Sequence, residues 1–174
     1  EVLWVVPPRM GKLTVELVAT LGVMAGCKPE HMPLLIAIVK AFSDENMAWR
    51  GTTTTTAATE PMVIINGPIV EELGIGYSTG CMGGEQPVNV AIGYFINLMG
   101  DIVGGSVPPE PDKSTQGSSA DLVAMVFGEN EKANPWKQSW AVEHGFKPVT
   151  AAQAAAKADV IQILAPDQAQ AAIY

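Results

Sequence analysis

Short strand-like apolar runs alternate with longer apolar runs of helical spacing along most of the chain. Strands are predicted at 1–6, 61–66, 122–127 and 160–164, and helices at 10–25, 29–43, 69–73, 86–103 and 135–144. This alternation predicts an α/β or α+β fold, with a central sheet packed against buried apolar helices. The 174 residues suffice for one compact domain. We expect it to comprise residues 1–150, with the alanine-rich residues 151–174 as a C-terminal extension packing on it or on a partner.

The polar stretch between the second helix and the strand at 61–66 is harder to assign. It ends in a run of threonines, Thr52 to Thr56. Because branching at Cβ favours extended backbone, we predict an extended segment there rather than a helix.

The composition narrows the classes of partner. The formal net charge is −8, with 48% hydrophobic and only 16% charged residues. Nucleic acids and anionic membrane surfaces attract basic patches, so neither is an expected partner. No apolar run reaches the roughly 18 residues of a membrane span, and no signal peptide is expected at the strand-like start. High apolarity with low charge predicts a homo- or hetero-oligomer, and two cysteines predict a reducing, cytoplasmic setting.

Cys27 is the first candidate for chemistry. It follows Gly26 and precedes Lys28 and the start of the second helix. Free N–H groups at a helix start and a nearby lysine both favour a thiolate, which is the nucleophilic form of cysteine. A buried, unreactive cysteine is the equally weighted alternative.

A second candidate is the glycine-rich loop at 74–84, which contains Gly80, Cys81 and Gly83 and precedes the third long helix. Such loops can bind anions through backbone N–H groups. The loop lacks a P-loop lysine and the Gly-x-Gly-x-x-Gly spacing. A simple connector is therefore the favoured interpretation, and anion binding is the alternative.

Polar residues near the predicted helices and strands complete the candidate set. Glu16 lies in an otherwise apolar helix, where a carboxylate is either paired or functional. Glu30 is a second proton carrier, and Glu129 and Glu131 are further carboxylates. Arg9 is a natural partner for Glu16 or for an anionic substrate. Asn66 ends the clearest strand and is either a site residue or plain turn chemistry.

The possible metal ligands in the sequence do not predict a metal site. Cys27 and His31 lie four positions apart, and Cys81 with His144 would complete a Cys2His2 set. No Cys-x-x-Cys or His-x-x-x-His spacing supports such a set. No metal and no cofactor are therefore expected.

Several fragments together resemble a known family. They are Pro7-Pro8-Arg9 with Thr14-Val15-Glu16, Val23-Met24-Ala25-Gly26-Cys27-x-Pro29-Glu30, Asn66-Gly67-Pro68, and Glu129-Asn130-Glu131 with Pro135-Trp136. They resemble a little-characterised bacterial family found beside, or fused to, small thiol or selenocysteine proteins with a (Cys/Sec)-Gly-Ser-Cys motif. The likeness covers about residues 7–150. It implies a thiol-related role for Cys27 and a partner that carries a second thiol.

Two functions from different classes follow. The first is a subunit of a cytoplasmic oligomeric enzyme acting on a small organic, possibly sulfur-containing, substrate. In it Cys27 is the nucleophile or redox thiol, Glu30 or Glu16 carries the proton, and Arg9, Asn66 and the glycine-rich loop bind substrate. Lyase, hydrolase and thiol-redox chemistry stay open. The alternative is a non-catalytic assembly subunit whose apolar helices form obligate interfaces.

Overall fold

The strands of the described residues form two small sheets, and helices pack against both. The computed structural model describes residues 1–57, 59–112, 117, 124–130, 132 and 161–163. Within them, a two-stranded sheet is built from the N-terminal strands and a three-stranded sheet from later ones. The mixture of helix and strand confirms the predicted α/β or α+β class.

The N-terminal sheet is an antiparallel hairpin of β1 (Val2–Val6) and β2 (Gly11–Thr14). A helix from residue 10 was predicted here, and this is wrong for residues 10–14. Helix α1 (Val15–Ala25) begins only after Thr14, whose hydroxyl oxygen accepts a hydrogen bond from the Leu17 backbone N–H at 3.2 Å. That N-cap fixes the helix start and leaves the preceding apolar residues to the strand.

The next helix begins near the predicted place. A 3-10 turn at Pro29–His31 leads directly into α2 (Met32–Phe42). Prolines in these first turns are tolerated because the N–H groups that they lack have no partner there anyway. Helix α1 ends at Gly26, which takes the left-handed conformation with φ of 89°.

Residues 44–57 do not form the extended segment predicted from the threonine run. They form a 3-10 turn at Glu45–Met47 and the short helix α3 (Trp49–Thr52), followed by turns. Tertiary packing explains the difference. Trp49 is buried, its ring centroid lies 5.0 Å from that of Phe42, and its indole N–H donates to the Pro7 carbonyl at 3.2 Å.

The second sheet has β3 (Met62–Ile65) at its centre. Strand β4 (Met125–Gly128) pairs with it in parallel, and β5 (Ile161–Ile163) pairs with its other edge in antiparallel fashion. The three strands confirm those predicted at 61–66, 122–127 and 160–164. The helix predicted at 135–144 and most of the alanine-rich stretch lie outside the described residues.

Two helices follow β3. The short α4 (Ile69–Leu73) comes first, and α5 (Pro87–Leu98) follows a glycine-rich loop and runs on into a π-helical turn at Met99–Gly104. Both were predicted. Helix α5 packs against α1 and β4, with Ile92, Phe95 and Ile96 fully buried.

Helix α5 with its π-helical turn is also the one segment among the described residues that is long and apolar enough to cross a membrane. Its 18 residues, Pro87–Gly104, have a mean hydropathy of 1.2, and 56% of them are buried inside the fold. Such a helix at the centre of a core meets the same length and composition criteria. The segment is therefore weak support for a membrane span.

Candidate functional site

The parallel pair β3 and β4 brings two polar residues together at one edge of the sheet. Ile65 is opposite Gly128 in the register, so the next residues, Asn66 and Glu129, leave the two strands side by side. The Glu129 backbone N–H donates to the Ile65 carbonyl at 2.7 Å. The Asn66 Nδ2 donates to Glu129 Oε2 at 3.2 Å. We call this pair the strand-end site.

The glycine-rich loop at 74–84 lies against the same edge. The Gly128 backbone N–H donates to the Gly76 carbonyl at 3.0 Å, which fastens the loop to the end of β4. The buried side chain of Asn89 hydrogen-bonds the N–H and the carbonyl of Gly76 and also the carbonyl of Cys81. Backbone hydrogen bonds and the first turn of α5 thus hold the loop beside the strand-end site.

Close packing explains two of the glycines there. A Cβ on Gly128 would lie 2.7 Å from Val70 Cγ1 and 3.1 Å from Tyr77 Cβ. A Cβ on Gly76 would lie 2.5 Å from Gln86 Oε1. A larger side chain at Gly128 would therefore push Val70 and Tyr77 away from the end of β4, whereas one at Gly76 would require the Gln86 side chain to move aside.

A small charged cluster stands at the surface near this loop. Glu71 Oε1 accepts hydrogen bonds from Lys132 Nζ and from the Tyr77 hydroxyl, both at 2.9 Å. The Lys132 bond, followed by the Tyr77 bond, holds the pKa of Glu71 below its ordinary value. The same Glu71 contact raises the pKa of Lys132. All three groups are solvent-accessible, so they bind one another in an open, screened environment.

Cys27 does not meet the requirement for a reactive thiol. Burial raises its pKa to about 11, opposite to the predicted direction. The residue follows the end of α1, its N–H donates to the Gly22 carbonyl at 2.8 Å, and its side chain packs against the core. Desolvation by burial sets the direction of the pKa shift, and the helix start that follows does not reverse it.

The carboxylates proposed as proton carriers are exposed. Glu16 lies in the first turn of α1, where the helix dipole stabilises a negative charge. Its carboxylate is exposed, so it needs no buried partner. Glu30 is also exposed, and its Oε1 lies 4.0 Å from Lys28 Nζ. Exposure at a helix start thus accounts for a carboxylate in this apolar helix, and a proton-carrying role for Glu16 or Glu30 stays a prediction.

Arg9 belongs to a different contact from Asn66. Its Nη2 donates to the Glu110 carbonyl at 3.0 Å, and its side chain packs on Gly105. The Arg9 backbone N–H donates to the Gly104 carbonyl at 2.8 Å. These contacts join the turn between β1 and β2 to the π-helical turn.

The other residues predicted to bind substrate, Gly80, Cys81 and Gly83, form consecutive turns in the glycine-rich loop. The Cys81 N–H donates to the Ser78 carbonyl at 3.0 Å, and the Gly83 N–H donates to the Gly80 carbonyl at 2.8 Å. Those N–H groups are used within the loop. Substrate binding at these positions stays a prediction.

Sequence reasoning missed Asn89. It is one of the few polar residues buried among the described ones, at 3% exposed. The signal was present, since a polar amide in the first turn of an apolar helix after a glycine-rich loop suits anchoring that loop. Within the part of the chain that the structure describes, no group of three His, Cys, Asp or Glu side chains is arranged to hold a metal. His144 lies outside that part.

A polar strand-end site beside a glycine-containing loop is the kind of position where open α/β sheets bind their ligands. Residues 118–174, about a third of the chain, match the family described as acetohydroxy acid isomeroreductase, NADPH-binding domain. The matched range includes β4, Glu129 and β5. No solved structure matches the chain.

This match points to an enzyme, as the sequence predicted, but to a different kind. A cysteine-dependent lyase, hydrolase or thiol-redox subunit is contradicted, because the matched family is one of NADPH-binding oxidoreductases. The high pKa of Cys27 agrees with that correction. No cofactor was expected from the sequence, whereas the matched family is named for one.

The residues present fit a dinucleotide better than they fit the additional phosphate of NADPH. The paired ends of β3 and β4 offer an amide and a carboxylate, which suit hydroxyl groups. Residues 118–174 contain no arginine and no Gly-x-Gly-x-x-Gly sequence, and Glu129 places a carboxylate at the end of β4. A carboxylate repels phosphate, so the 2′-phosphate of NADPH is not matched by this edge.

Proposed function

We propose that the chain is part of an oxidoreductase that binds a nicotinamide dinucleotide at the strand-end site. The observation that carries this proposal is the match of residues 118–174 to an NADPH-binding domain, together with the position of β4 from that range in a parallel strand pair. When bound, the nicotinamide supplies or accepts a hydride. The residues of this chain supply the binding surface.

Asn66 and Glu129 are the residues we assign to the dinucleotide. They follow parallel strands at the same level, where a ligand meets the carboxyl ends of both strands. Glu129 accepts from Asn66, so the pair offers an oriented carboxylate to ligand hydroxyl groups. The nearby glycine-rich loop allows the ligand to approach backbone closely.

The sheet supports a site built by two parts of the chain. Strand β3 lies between β4 and β5, although only β4 and β5 belong to the matched range. Asn66, at the end of β3, therefore brings a residue from outside that range to the proposed site. Residues 1–112 and the matched segment act together in this proposal.

Oligomeric assembly and a soluble, cytoplasmic setting are further parts of the proposal. The exposed apolar side chains of α1, with Val23 75% and Met24 55% exposed, support assembly through that helix. A small-molecule substrate is implied by the oxidoreductase assignment. The bacterial origin suggested by the resemblance over residues 7–150 is compatible with these parts.

The test is a titration of the full chain with NADH and with NADPH, followed by nicotinamide fluorescence and by calorimetry. We expect saturable binding of at least one of them with a dissociation constant in the micromolar range, about 1–100 µM. Asn66→Ala should weaken that binding because Glu129 loses the hydrogen bond that orients it. The matched control is Asn46→Ala, which removes an amide from the exposed turn at Glu45–Met47.

The outcomes separate the possibilities. Binding that is weakened by Asn66→Ala and unchanged by Asn46→Ala supports the proposal. Absence of binding of either dinucleotide up to about 1 mM, the weak end of ordinary cofactor affinities, contradicts it. Equal affinity of the wild type and Asn66→Ala for the dinucleotide would contradict binding at the ends of β3 and β4.

A further inference from the structure

We infer that the strand-end site selects a dinucleotide with a free ribose 2′-hydroxyl, NAD(H), over one that carries a 2′-phosphate. This inference rests on the function proposed above and adds the cofactor class to it. It departs from the NADPH named for the family that residues 118–174 match. The observation behind this inference is the position of Glu129 at the end of β4, with Asn66 beside it.

Glu129 has a fixed position at the end of β4. Its backbone N–H is bound to the Ile65 carbonyl at 2.7 Å, so the residue is held by the ladder where β4 ends. In sheets that bind dinucleotides, an acidic residue near a strand end accepts hydrogen bonds from ribose hydroxyls, whereas an arginine accommodates a 2′-phosphate. Glu129 is an acidic residue at the end of a strand, so it suits a ribose hydroxyl and not a 2′-phosphate.

Asn66 orients the carboxylate of Glu129. Asn66 Nδ2 donates to Oε2 of Glu129 at 3.2 Å, and Glu129 is partly buried between the strand ends. An ionised carboxylate has about four acceptor positions on two oxygens, so it can serve a neighbouring amide and a ribose hydroxyl together. A phosphate at the same position offers only acceptors, because its oxygens are ionised near neutral pH. Phosphate and Glu129 would therefore repel each other.

The described segments that follow β3 and β4 carry more acidic than basic side chains. Helix α4 directly follows β3 and adds Glu71 and Glu72, both exposed. Lys132 is a nearby cation, and its Nζ is bound to Glu71 Oε1 at 2.9 Å. Residues 118–174 contain no arginine, which is the side chain that binds phosphate through two parallel hydrogen bonds. The described charges here thus favour a ligand without an additional phosphate.

Lys132 is the feature that could reverse this preference. If its ammonium group left Glu71 and bound a 2′-phosphate, NADPH would gain an ion pair that NADH lacks. The substitution Lys132→Met removes that possibility and keeps most of the side-chain length. We expect it to leave the relative affinity for the two cofactors unchanged.

The experiment compares dissociation constants of the full chain for NADH and NADPH in four proteins at low and at high salt. They are the wild type, Glu129→Gln, Lys132→Met and the control Glu45→Gln. Glutamine at 129 keeps an oxygen that accepts from Asn66 while removing the charge, so the fold should be retained, as circular dichroism and thermal melting will verify. Glu45→Gln removes one carboxylate from the exposed 3-10 turn before α3.

We expect the wild type to bind NADH roughly tenfold or more tightly than NADPH, because like charges disfavour the wrong ligand. Glu129→Gln should reduce this ratio severalfold, mainly by strengthening NADPH binding, and Glu45→Gln should not change it. Raising the salt concentration should also reduce the ratio in the wild type, since salt screens repulsion at an accessible site.

Three results would overturn the inference. NADPH binding as tight as NADH binding in the wild type would do so while leaving the proposed function in place. So would an unchanged ratio in Glu129→Gln, or a selective loss of NADPH binding in Lys132→Met. If neither dinucleotide binds, the proposed function itself is wrong and the inference falls with it.

Discussion

The side-chain amide of Asn89 pairs with the backbone of Gly76 much as a neighbouring strand would. Oδ1 accepts from the Gly76 N–H at 2.9 Å, and Nδ2 donates to the Gly76 carbonyl, also at 2.9 Å. The same Nδ2 donates to the Cys81 carbonyl at 3.0 Å. The Gly76 carbonyl also accepts from Gly128 N–H, so α5, the glycine-rich loop and the end of β4 are joined at one peptide group.

We predict that Asn89→Ala destabilises the fold by about 2 kcal/mol or more. The substitution leaves the Gly76 N–H and the Cys81 carbonyl without the partner that the buried Asn89 supplies, and each such loss costs about 1–3 kcal/mol before water or relaxation compensates. Urea unfolding followed by circular dichroism measures the change.

Two further variants sharpen the Asn89 prediction. Asn89→Asp should also destabilise, because a carboxylate can accept from the Gly76 N–H but cannot donate to the two carbonyls. Asn46→Ala, at an exposed turn, should lie within about 0.5 kcal/mol of the wild type. Equal stability of Asn89→Ala and the wild type would contradict an anchoring role for Asn89.

The raised pKa of Cys27 predicts slow alkylation of the native protein at neutral pH. In a Cys81→Ser background, iodoacetamide should modify Cys27 slowly near pH 8, and the rate should climb toward pH 11, because burial disfavours the thiolate. In denaturant the rate profile should shift to the ordinary pKa of a thiol. A native profile that levels off near pH 7 would contradict this environment.

The same shift predicts a loss of stability in alkali. Between the ordinary value of 9.0 and about 11, the unfolded chain releases the Cys27 proton and the folded chain retains it. Stability therefore falls with rising pH across this window. Cys27→Ser should reduce that alkaline slope, and the partial exposure of the Cys27 side chain keeps the effect below its full linkage value.

The environment of His31 predicts a loss of stability in acid. Its side chain is 3% exposed, and Nδ1 accepts from the Lys28 backbone N–H at 3.2 Å. Burial lowers the pKa of His31, with a smaller opposing effect of Glu30 and a smaller lowering effect of Lys28. A neutral ring is needed for the Nδ1 hydrogen bond, so protonation opposes the fold.

We therefore expect stability to fall as the pH drops through 6.5, the ordinary pKa of histidine, toward the lower value of the folded state. Over that window the unfolded chain binds the His31 proton and the folded chain does not. NMR titration measures the pKa directly, with His144→Gln used to assign the two histidine signals. A His31 signal that titrates above 6.5 would contradict the prediction.

Two errors at the sequence level have a shared cause. The helix predicted from residue 10 begins only at Val15, since residues 11–14 pair with β1 as a strand. The threonine run 52–56 was predicted to be extended, but helix α3 runs to Thr52 and turns follow. In both places contacts with another element outweighed local preference: hairpin pairing with β1 in the first case, and the packing of Trp49 against Phe42 in the second.

The reactivity of Cys27 could not be predicted from the sequence either. A cysteine between a glycine and a lysine before a helix carries the pattern of an activated thiol. Its actual pKa depends on how much apolar surface surrounds the sulfur, and that follows from the packing of α1 against the core. Sequence spacing carries no measure of desolvation.

The sequence alone determined which segments become the long helices and the strands of the second sheet. The apolar run at 61–66 and the proline-limited start near Pro29 depend on residues close to one another, and local sterics and hydrophobic spacing suffice there. Tertiary structure decided that Asn66 meets Glu129 across 63 positions and that Asn89 holds Gly76. Those contacts require the parallel register of β3 and β4 and the packing of α5 on β4, and no local pattern encodes either.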